Sequence, residues 1–510
     1  MKIYSKEDMQ IVLDATLRER GITMSDFIDE MGSRMAQEII RRVGGRQQHV
    51  VVFAGPELNG AYAIATSRSL AQSGYSPEIY LFNIGGNRAS KECAEMRDAF
   101  LEEADPSLMH EVVSMQFVMP RLDRSMWVID GLFGQECSHP LSGGYQAVVR
   151  HINEMASKVI SIDVPSGLLV DSLEGLINRN IVHATYTLTI GEPRIAFFLK
   201  DNEELIGEWI RIDAGFSKDA LMKVKTKFSL VDLGIVRKLL KPRRLFASKA
   251  DCGNAIIFAG SYGMFGAAVL AATGALRGGA GKVTVHSPRF GFFVLQSAVP
   301  CAMYEADPGD VAISRIELLR DFDAVAIGPG IGTADVTIDA LDSFLKIANA
   351  NSRPVVLDAD ALNCISYRQS MLNHIPVMSI LTPHEGEFDR IFGTQPSSYA
   401  RLMKAVDEAK RRSIFIVLKG RYSAIVWPDG RVYFNPTGSP ALATGGTGDV
   451  LTGVICAFLA QGLPPEQAAI VAAYVHGLAG ELAERDHGVF GTTASDVAER
   501  IGRAIKTVVN

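Results

Sequence analysis

The chain predicts two α/β layered domains in tandem. Short, near-continuous β-branched runs recur along it, followed by glycine and then by helical periodicity, the pattern of parallel strands covered on both faces. The series restarts after Gly253. With 510 residues, 47% of them hydrophobic, there is material for roughly two to four well-buried cores.

Taken in order, the first run is His49-Val-Val-Val-Phe-Ala-Gly55, which precedes a helix-like stretch reaching Leu70. Met126-Trp-Val-Ile-Asp130, Val159-Ile-Ser-Ile-Asp163 and Ala184-Thr-Tyr-Thr-Leu-Thr-Ile190 continue it. Between Phe216 and Cys252 the text turns basic, with LMKVKTKF and then RKLLKPRRLFASK. Such a charge run reads as a connector or as an exposed first helix, and it sets a boundary near residue 225. Domains over 1–225 and 226–510 follow. In the second, Asn254-Ala-Ile-Ile-Phe-Ala-Gly260, Ala324-Val-Ala-Ile-Gly328, Pro354-Val-Val-Leu-Asp358 and Ile414-Phe-Ile-Val-Leu-Lys419 repeat the strand pattern. Both halves read as layered sheets.

Bulk properties exclude several function classes. A formal charge of −6 leaves no basic footprint for nucleic acid. No apolar run reaches the length of a bilayer span, and the first residues lack the apolar core of a signal peptide. Six scattered cysteines (93, 137, 252, 301, 364 and 456) show no CxxC pair or metal-ligand spacing, so reduced thiols in the cytoplasm are expected.

The chemistry concentrates in Thr444-Gly-Gly-Thr-Gly-Asp-Val-Leu-Thr-Gly453, which runs into the apolar Val454-Ile-Cys-Ala-Phe-Leu-Ala460. A glycine-rich turn opening a helix aims several backbone N–H groups at one point, where the helix dipole adds positive potential. Phosphate can approach there with no Cβ in the way. Asp449 falls in the first helical turn. A capping aspartate would be the bland reading; the glycines and threonines around it favour a base for a hydroxyl aimed at a phosphoryl group. Three further loops follow strand ends, where open parallel sheets present ligands: Ala259–Ala268, Gly328-Pro-Gly-Ile-Gly332 and Thr382-Pro-His-Glu-Gly-Glu387. Lys419-Gly-Arg-Tyr-Ser423 adds a cation and a turn.

From about Lys241 to Asn510 these segments together resemble the ADP- or ATP-dependent NAD(P)H-hydrate dehydratases, which have a ribokinase-like fold. FAGSYGMFGAAVLAATGALRGGAGKVTV, IGPGIG, VVLDADAL, LTPHEGEF, VLKG, ATGGTGDVLTGVICAFLAQGL and AAYVHGLAGELA carry the likeness, in that order. It implies that a nucleotide, ADP or ATP with Mg2+, phosphorylates the C6 hydroxyl of the hydrated nicotinamide ring, and that loss of phosphate restores NADH or NADPH. Asp449 would be the base. Ala267, Gly330, His384 and Asp449 would contact the hydrated cofactor. Lys419, Gly420, Arg421, Tyr422, Ser423 and Gly448 would contact the nucleotide, and Glu387 would lie near magnesium. The family's His-Lys-Gly before the first strand reads Ser248-Lys249-Ala250 here.

Residues 1 to about 220 resemble the Rossmann-like NAD(P)H-hydrate epimerase domain that bacteria commonly fuse to this dehydratase, on Val128–Gly134, Ser161-Ile-Asp-Val-Pro-Ser-Gly167 and Ala184–Gly191. The resemblance implies a potassium ion held by Asn59, Asp130 and Ser166, all oxygen donors as a hard cation requires. It implies hydrate contacts at Leu58, Asn59, Gly60, Ala61, Tyr62, Gly134, Gln135, Glu136, Cys137, Ser138, His139, Pro140 and Asp163. Yet the family's Gly-x-Gly-Asn-Asn-Gly-Gly-Asp-Gly loop reads Gly55-Pro-Glu-Leu-Asn-Gly-Ala-Tyr-Ala63, and its Gly-Thr-Gly-Leu segment reads Gly134-Gln-Glu-Cys-Ser-His139. Leucine and tyrosine fill room left for a diphosphate, and Glu57 and Glu136 add like charge. Two readings therefore stand for this half, an epimerase and a retained fold without catalysis. For the whole chain the expectation is a cofactor-repair enzyme, a homo-oligomer acting on NADHX or NADPHX. The alternative is a ribokinase-like vitamin or sugar kinase with a non-catalytic N-terminal binding module, which shares the Gly-Thr-Gly-Asp centre.

Overall fold

The computed structural model describes residues 1–86, 88–114, 116–156, 158–170 and 180–510. The chain forms two compact units, Lys2–Thr226 and Lys227–Asn510, the second also including Met1. Each is α/β.

In the first unit seven strands pair in the order Met109–Val112, Pro77–Phe82, Val50–Ala54, Trp127–Gly131, Val159–Ile162, Tyr186–Ile190 and Glu208–Ile212. Every pairing is parallel. Alternate side chains go to opposite faces of a strand, and both faces are covered. Val50 and Val52 pack with Phe27, Ile28 and Met31 of the helix Met24–Val43, whereas Val51 and Phe53 pack with Val148, Val149 and Ile152 of the helix Gly143–Met155. That double burial is why VVVFA is apolar throughout. Chain order reverses between Val50–Ala54 and Trp127–Gly131, and the crevice at the strand ends of such a reversal is where open α/β sheets bind ligands.

The second unit contributes ten strands among the described residues. Their order is Phe228–Leu230, Val432–Phe434, Ala424–Val426, Phe415–Leu418, Ile380–Leu381, Val356–Leu357, Ala324–Ile327, Asn254–Phe258, Lys282–Ser287 and Met303–Ala306. Pairing is parallel except where Ala424–Val426 lies between two antiparallel neighbours. The turn Asp429-Gly430, with Gly430 at φ 87°, closes that hairpin, which a purely parallel reading does not anticipate. Order reverses between Asn254–Phe258 and Ala324–Ile327.

Two small-residue helices cover one face there, Phe265–Gly278 and Thr447–Ala460. They approach closely because glycine meets backbone. A Cβ on Gly453 would lie 1.9 Å from the Ala271 carbonyl oxygen, and one on Gly274 would lie 2.4 Å from that of Val450. The GAAVLAATGALRGG text thus serves packing, which in turn fixes where Asp449 sits.

Candidate active site

In the second unit the site forms at the chain reversal. Ser261 Oγ donates to the Gly330 carbonyl at 2.8 Å, tying the loop after Asn254–Phe258 to the loop after Ala324–Ile327. Gly330 has φ 62°, and a Cβ on it would lie 2.9 Å from that of Ala267, so these two predicted contacts are neighbours. Farther along, Gly332 N–H donates to Asp360 Oδ2 at 2.9 Å.

Asp449 stands in the first turn of Thr447–Ala460. Gly446, at φ 94°, is the N-cap, and no side chain caps this helix among the described residues, so the bland capping role is not the one Asp449 fills. Burial pushes its carboxyl up to about 7, helped by the negative charges of Asp358, Asp360 and Glu387 and opposed by Lys419. The Lys419 ammonium lies 2.8 Å from Asp358 Oδ1 and 3.7 Å from Glu387 Oε2. Burial works against its charge, but Asp358 and Glu387 outweigh that and hold its pKa above the ordinary lysine value. Thr452 Oγ1 donates to the other oxygen of Asp358 at 2.5 Å. A Cβ on Gly448 would come within 3.4 Å of Lys419 Nζ. Asp449, Gly448, Lys419 and Glu387 therefore converge on one polar cluster.

His384 is the N-cap of the helix Glu385–Phe392. Its Nδ1 accepts from the N–H groups of Gly386 at 3.0 Å and Glu387 at 3.3 Å, and Glu387 Oε2 accepts from the His384 N–H at 2.8 Å. A parallel bridge joins His384 to Lys419. Arg421, Tyr422 and Ser423 occupy the turn after Phe415–Leu418. Arg421 stacks over the Tyr422 ring at 4.8 Å and donates to the Pro436 carbonyl, while Ser423 Oγ donates to the Gly420 carbonyl.

Sequence reasoning did not assign Asp358, Asp360, Thr452 or His476. The first two stand in VVLDADAL, where a carboxylate at a strand end was the available signal. Ala359 between them has φ 47°, a conformation that costs a non-glycine residue of order 1–3 kcal/mol and that clusters at functional sites. His476 gave none: it lies in an apolar helix, its Nε2 donating to the Thr447 carbonyl at 2.9 Å. Burial lowers its pKa to about 4, so a neutral imidazole anchors the turn before Asp449 at ordinary pH.

In the first unit the predicted residues also gather at the chain reversal. Asp130 is fully buried. Its Oδ2 accepts from Ser161 Oγ at 2.8 Å and Ser166 N–H at 2.9 Å, and burial raises its carboxyl despite those bonds. Ser166 Oγ lies 2.5 Å from Asp130 Oδ1 and 2.7 Å from the Phe133 carbonyl oxygen. One hydroxyl proton cannot serve both acceptors. Asn59 is 3% exposed with its Nδ2 unpartnered, and a Cβ on Gly134 would meet its Oδ1 at 2.8 Å.

Leu58, Gly60, Ala61 and Tyr62 belong to the helix Leu58–Gln72, whose N-cap is Glu57. Tyr62 is 5% exposed, and burial together with Asp163 and Glu136 raises its phenol well above the usual value, Arg194 partly opposing. Burial and the charge of Glu57 push the Glu136 carboxyl up to about 7. Asp163, at φ 60°, lies 3.8 Å from Arg194 Nη2. That nitrogen donates to Gln135 Oε1 at 2.7 Å. Ser138, His139 and Pro140 are exposed, Ser138 Oγ lying 2.9 Å from His139 Nδ1, and Cys137 Sγ donates to the His139 carbonyl.

A family model described as NAD(P)H-hydrate dehydratase matches residues 255–503, and one described as YjeF-related protein N-terminus matches residues 25–196. The bifunctional NAD(P)H-hydrate repair enzyme Nnr of Moorella thermoacetica is 30% identical over 501 residues, 93% of this chain and 91% of that one. Its namesake from Gloeobacter violaceus is 31% identical over 496 residues, 95% of this chain and 94% of that one. Among solved structures, the ADP/ATP-dependent NAD(P)H-hydrate dehydratase from Bacillus subtilis, co-crystallised with ATP and Mg2+, is 32% identical. It covers 55% of this chain and 98% of its own, with a TM-score of 0.48.

Proposed function

The chain belongs to the family of bifunctional NAD(P)H-hydrate repair enzymes, and from that premise we propose that Asp449 is the base of a nucleotide-dependent dehydration of the S hydrate. The observation that carries this reading is Asp449 in a capless, glycine-rich first turn, its carboxyl raised to about 7 beside the Lys419–Asp358 pair. A base whose pKa lies near the working pH combines availability with proton affinity.

Hydrated cofactor lies along Ala267, Gly330 and His384 with its C6 hydroxyl at Asp449, which takes the hydroxyl proton. The oxygen so freed accepts the terminal phosphoryl of ADP or ATP; for ADP the leaving group is AMP. Phosphate, a far better leaving group than hydroxide, then departs from C6 while the C5 proton passes to solvent, and the ring double bond returns. The N–H groups opening Thr447–Ala460 hold phosphoryl oxygens, and Lys419 and Gly448 lie beside them, with Gly420, Arg421, Tyr422 and Ser423 toward the nucleoside. Glu387, with phosphate oxygens, would hold magnesium, which when bound would supply neutralisation of the phosphate charge.

Residues 1–225 form the epimerase-like domain and 226–510 the dehydratase domain. Potassium fits the first: Asp130 Oδ1, Ser166 Oγ and the Phe133 carbonyl crowd together with one proton among them, and Asn59 stands beside. A hard cation satisfies such oxygens. Free cysteines throughout the described residues favour the cytoplasm, and exposed Tyr262, Phe290, Phe292 and Phe293 favour a homo-oligomer.

Asp449→Asn tests the assignment. It keeps the shape and removes the base, so kcat should fall by about 10²–10⁴-fold with the nucleotide Kd nearly unchanged. Full turnover in this variant would remove Asp449 from the role.

A further inference from the structure

We infer that the N-terminal unit does not epimerise hydrated cofactors, so that this chain consumes only the S hydrate and the R hydrate must be supplied to it by a separate isomerisation. The inference rests on the dehydratase reading above for what becomes of the S hydrate, and on the geometry of the first unit for the rest.

Three features close the crevice to a dinucleotide. The anion position at the start of Leu58–Gln72 is already acidic. A helix N-terminus offers N–H groups to phosphate, but here Glu57 is the N-cap, and the nearby Glu136 has a buried carboxyl oxygen without a hydrogen-bond partner. A diphosphate would approach two carboxyl groups instead of a neutral loop.

The space itself is filled. Tyr62 is buried to 5% exposure, and with Leu13, Phe27, Leu58, Asp163 and Arg194 it leaves a cavity of about 30 Å³. That is room for about two waters, far below the several hundred Å³ of a cofactor site.

Asp163, one of the expected hydrate contacts, is engaged. Arg194 is 2% exposed. Its guanidinium spans Gln135 Oε1 at 2.7 Å, the Glu192 carbonyl at 3.0 Å and Asp163 Oδ1 at 3.8 Å. Asp163 Oδ1 also accepts from the Ile190 N–H at 3.2 Å. Drawing Arg194 aside would leave buried charge uncompensated, so Asp163 has structural partners where a ligand contact needs a free face. Substitutions at positions 57, 58, 62 and 136 and the pairing of Asp163 all act on one crevice.

The test uses the full chain and pure R hydrate of NADH in a potassium-containing buffer. Without nucleotide, the approach to the R/S mixture is followed by chromatography at several protein concentrations. The expected rate equals that of the protein-free solution at every concentration; a rate rising in proportion to protein overturns the inference. A parallel sample receives S hydrate, ADP and Mg2+. Failure there sinks the dehydratase reading alone, since the first measurement needs no dehydration. With nucleotide present, R hydrate should be consumed no faster than it converts spontaneously to S, and saturating turnover of R would again overturn the inference.

Discussion

Asp449 owes its proposed reactivity to its surroundings more than to its own chemistry. Burial, Asp358, Asp360 and Glu387 raise its pKa while Lys419 lowers it, and the balance is about 7. A base must be unprotonated, so kcat/KM for the S hydrate should fall as pH drops through that value. Asp358→Asn removes a negative neighbour and leaves Lys419 without its 2.8 Å partner. Both changes favour ionised Asp449, so the acidic limb should move to lower pH; a pH–rate profile with the limb unmoved would separate Asp358 from the base. The residue scale is also where the sequence was least readable. Asp358 and Lys419 stand 61 positions apart, and an aspartate after a strand reads equally well as a cap. Arg194 in GEPRIAFF gave no hint of burial, because arginine is almost never fully buried unless paired, and its partners Gln135 and Asp163 come from other loops.

At the scale of elements, the helix Thr447–Ala460 carries Asp449 on one end and packs on Phe265–Gly278 along its length. Gly453 sits one turn beyond Asp449, facing the Ala271 carbonyl. Gly453→Ala forces the helices apart, which should cost about 1–3 kcal/mol of stability as overpacking does and reduce turnover by shifting Asp449. Chemical denaturation checks the first and kcat the second; an unchanged midpoint would show that the approach of the two helices is not required. Elements were largely legible. VVVFA, NAIIF and FIVL announce themselves because strands buried on both faces must be apolar at every position. Pro77–Phe82 and Lys282–Ser287 are harder to read since PEIYLF and KVTVHS mix polar and apolar residues, and the two-residue strand Ile380–Leu381 is too short to carry a period.

For the whole molecule, the two units share an architecture and differ in the state of their crevices. In each, chain order reverses between two strands whose following loops meet, and in each a strained residue, Asp163 or Ala359, stands at a strand end. The second unit leaves a raised carboxylate at a helix start with glycine around it; the first places Glu57 and Tyr62 at the start of its helix Leu58–Gln72. That asymmetry was visible in the loop Gly55-Pro-Glu-Leu-Asn-Gly-Ala-Tyr-Ala63, but the closing contribution of Arg194 required the fold. The central claim is nucleotide-driven dehydration by the C-terminal unit, and the most direct measurement follows reduced nicotinamide absorbance when the full chain meets S hydrate, Mg2+ and either ADP or ATP. Absorbance should return only with nucleotide present, one phosphate appearing per cofactor restored. No return with either nucleotide, or return without any, would contradict the account.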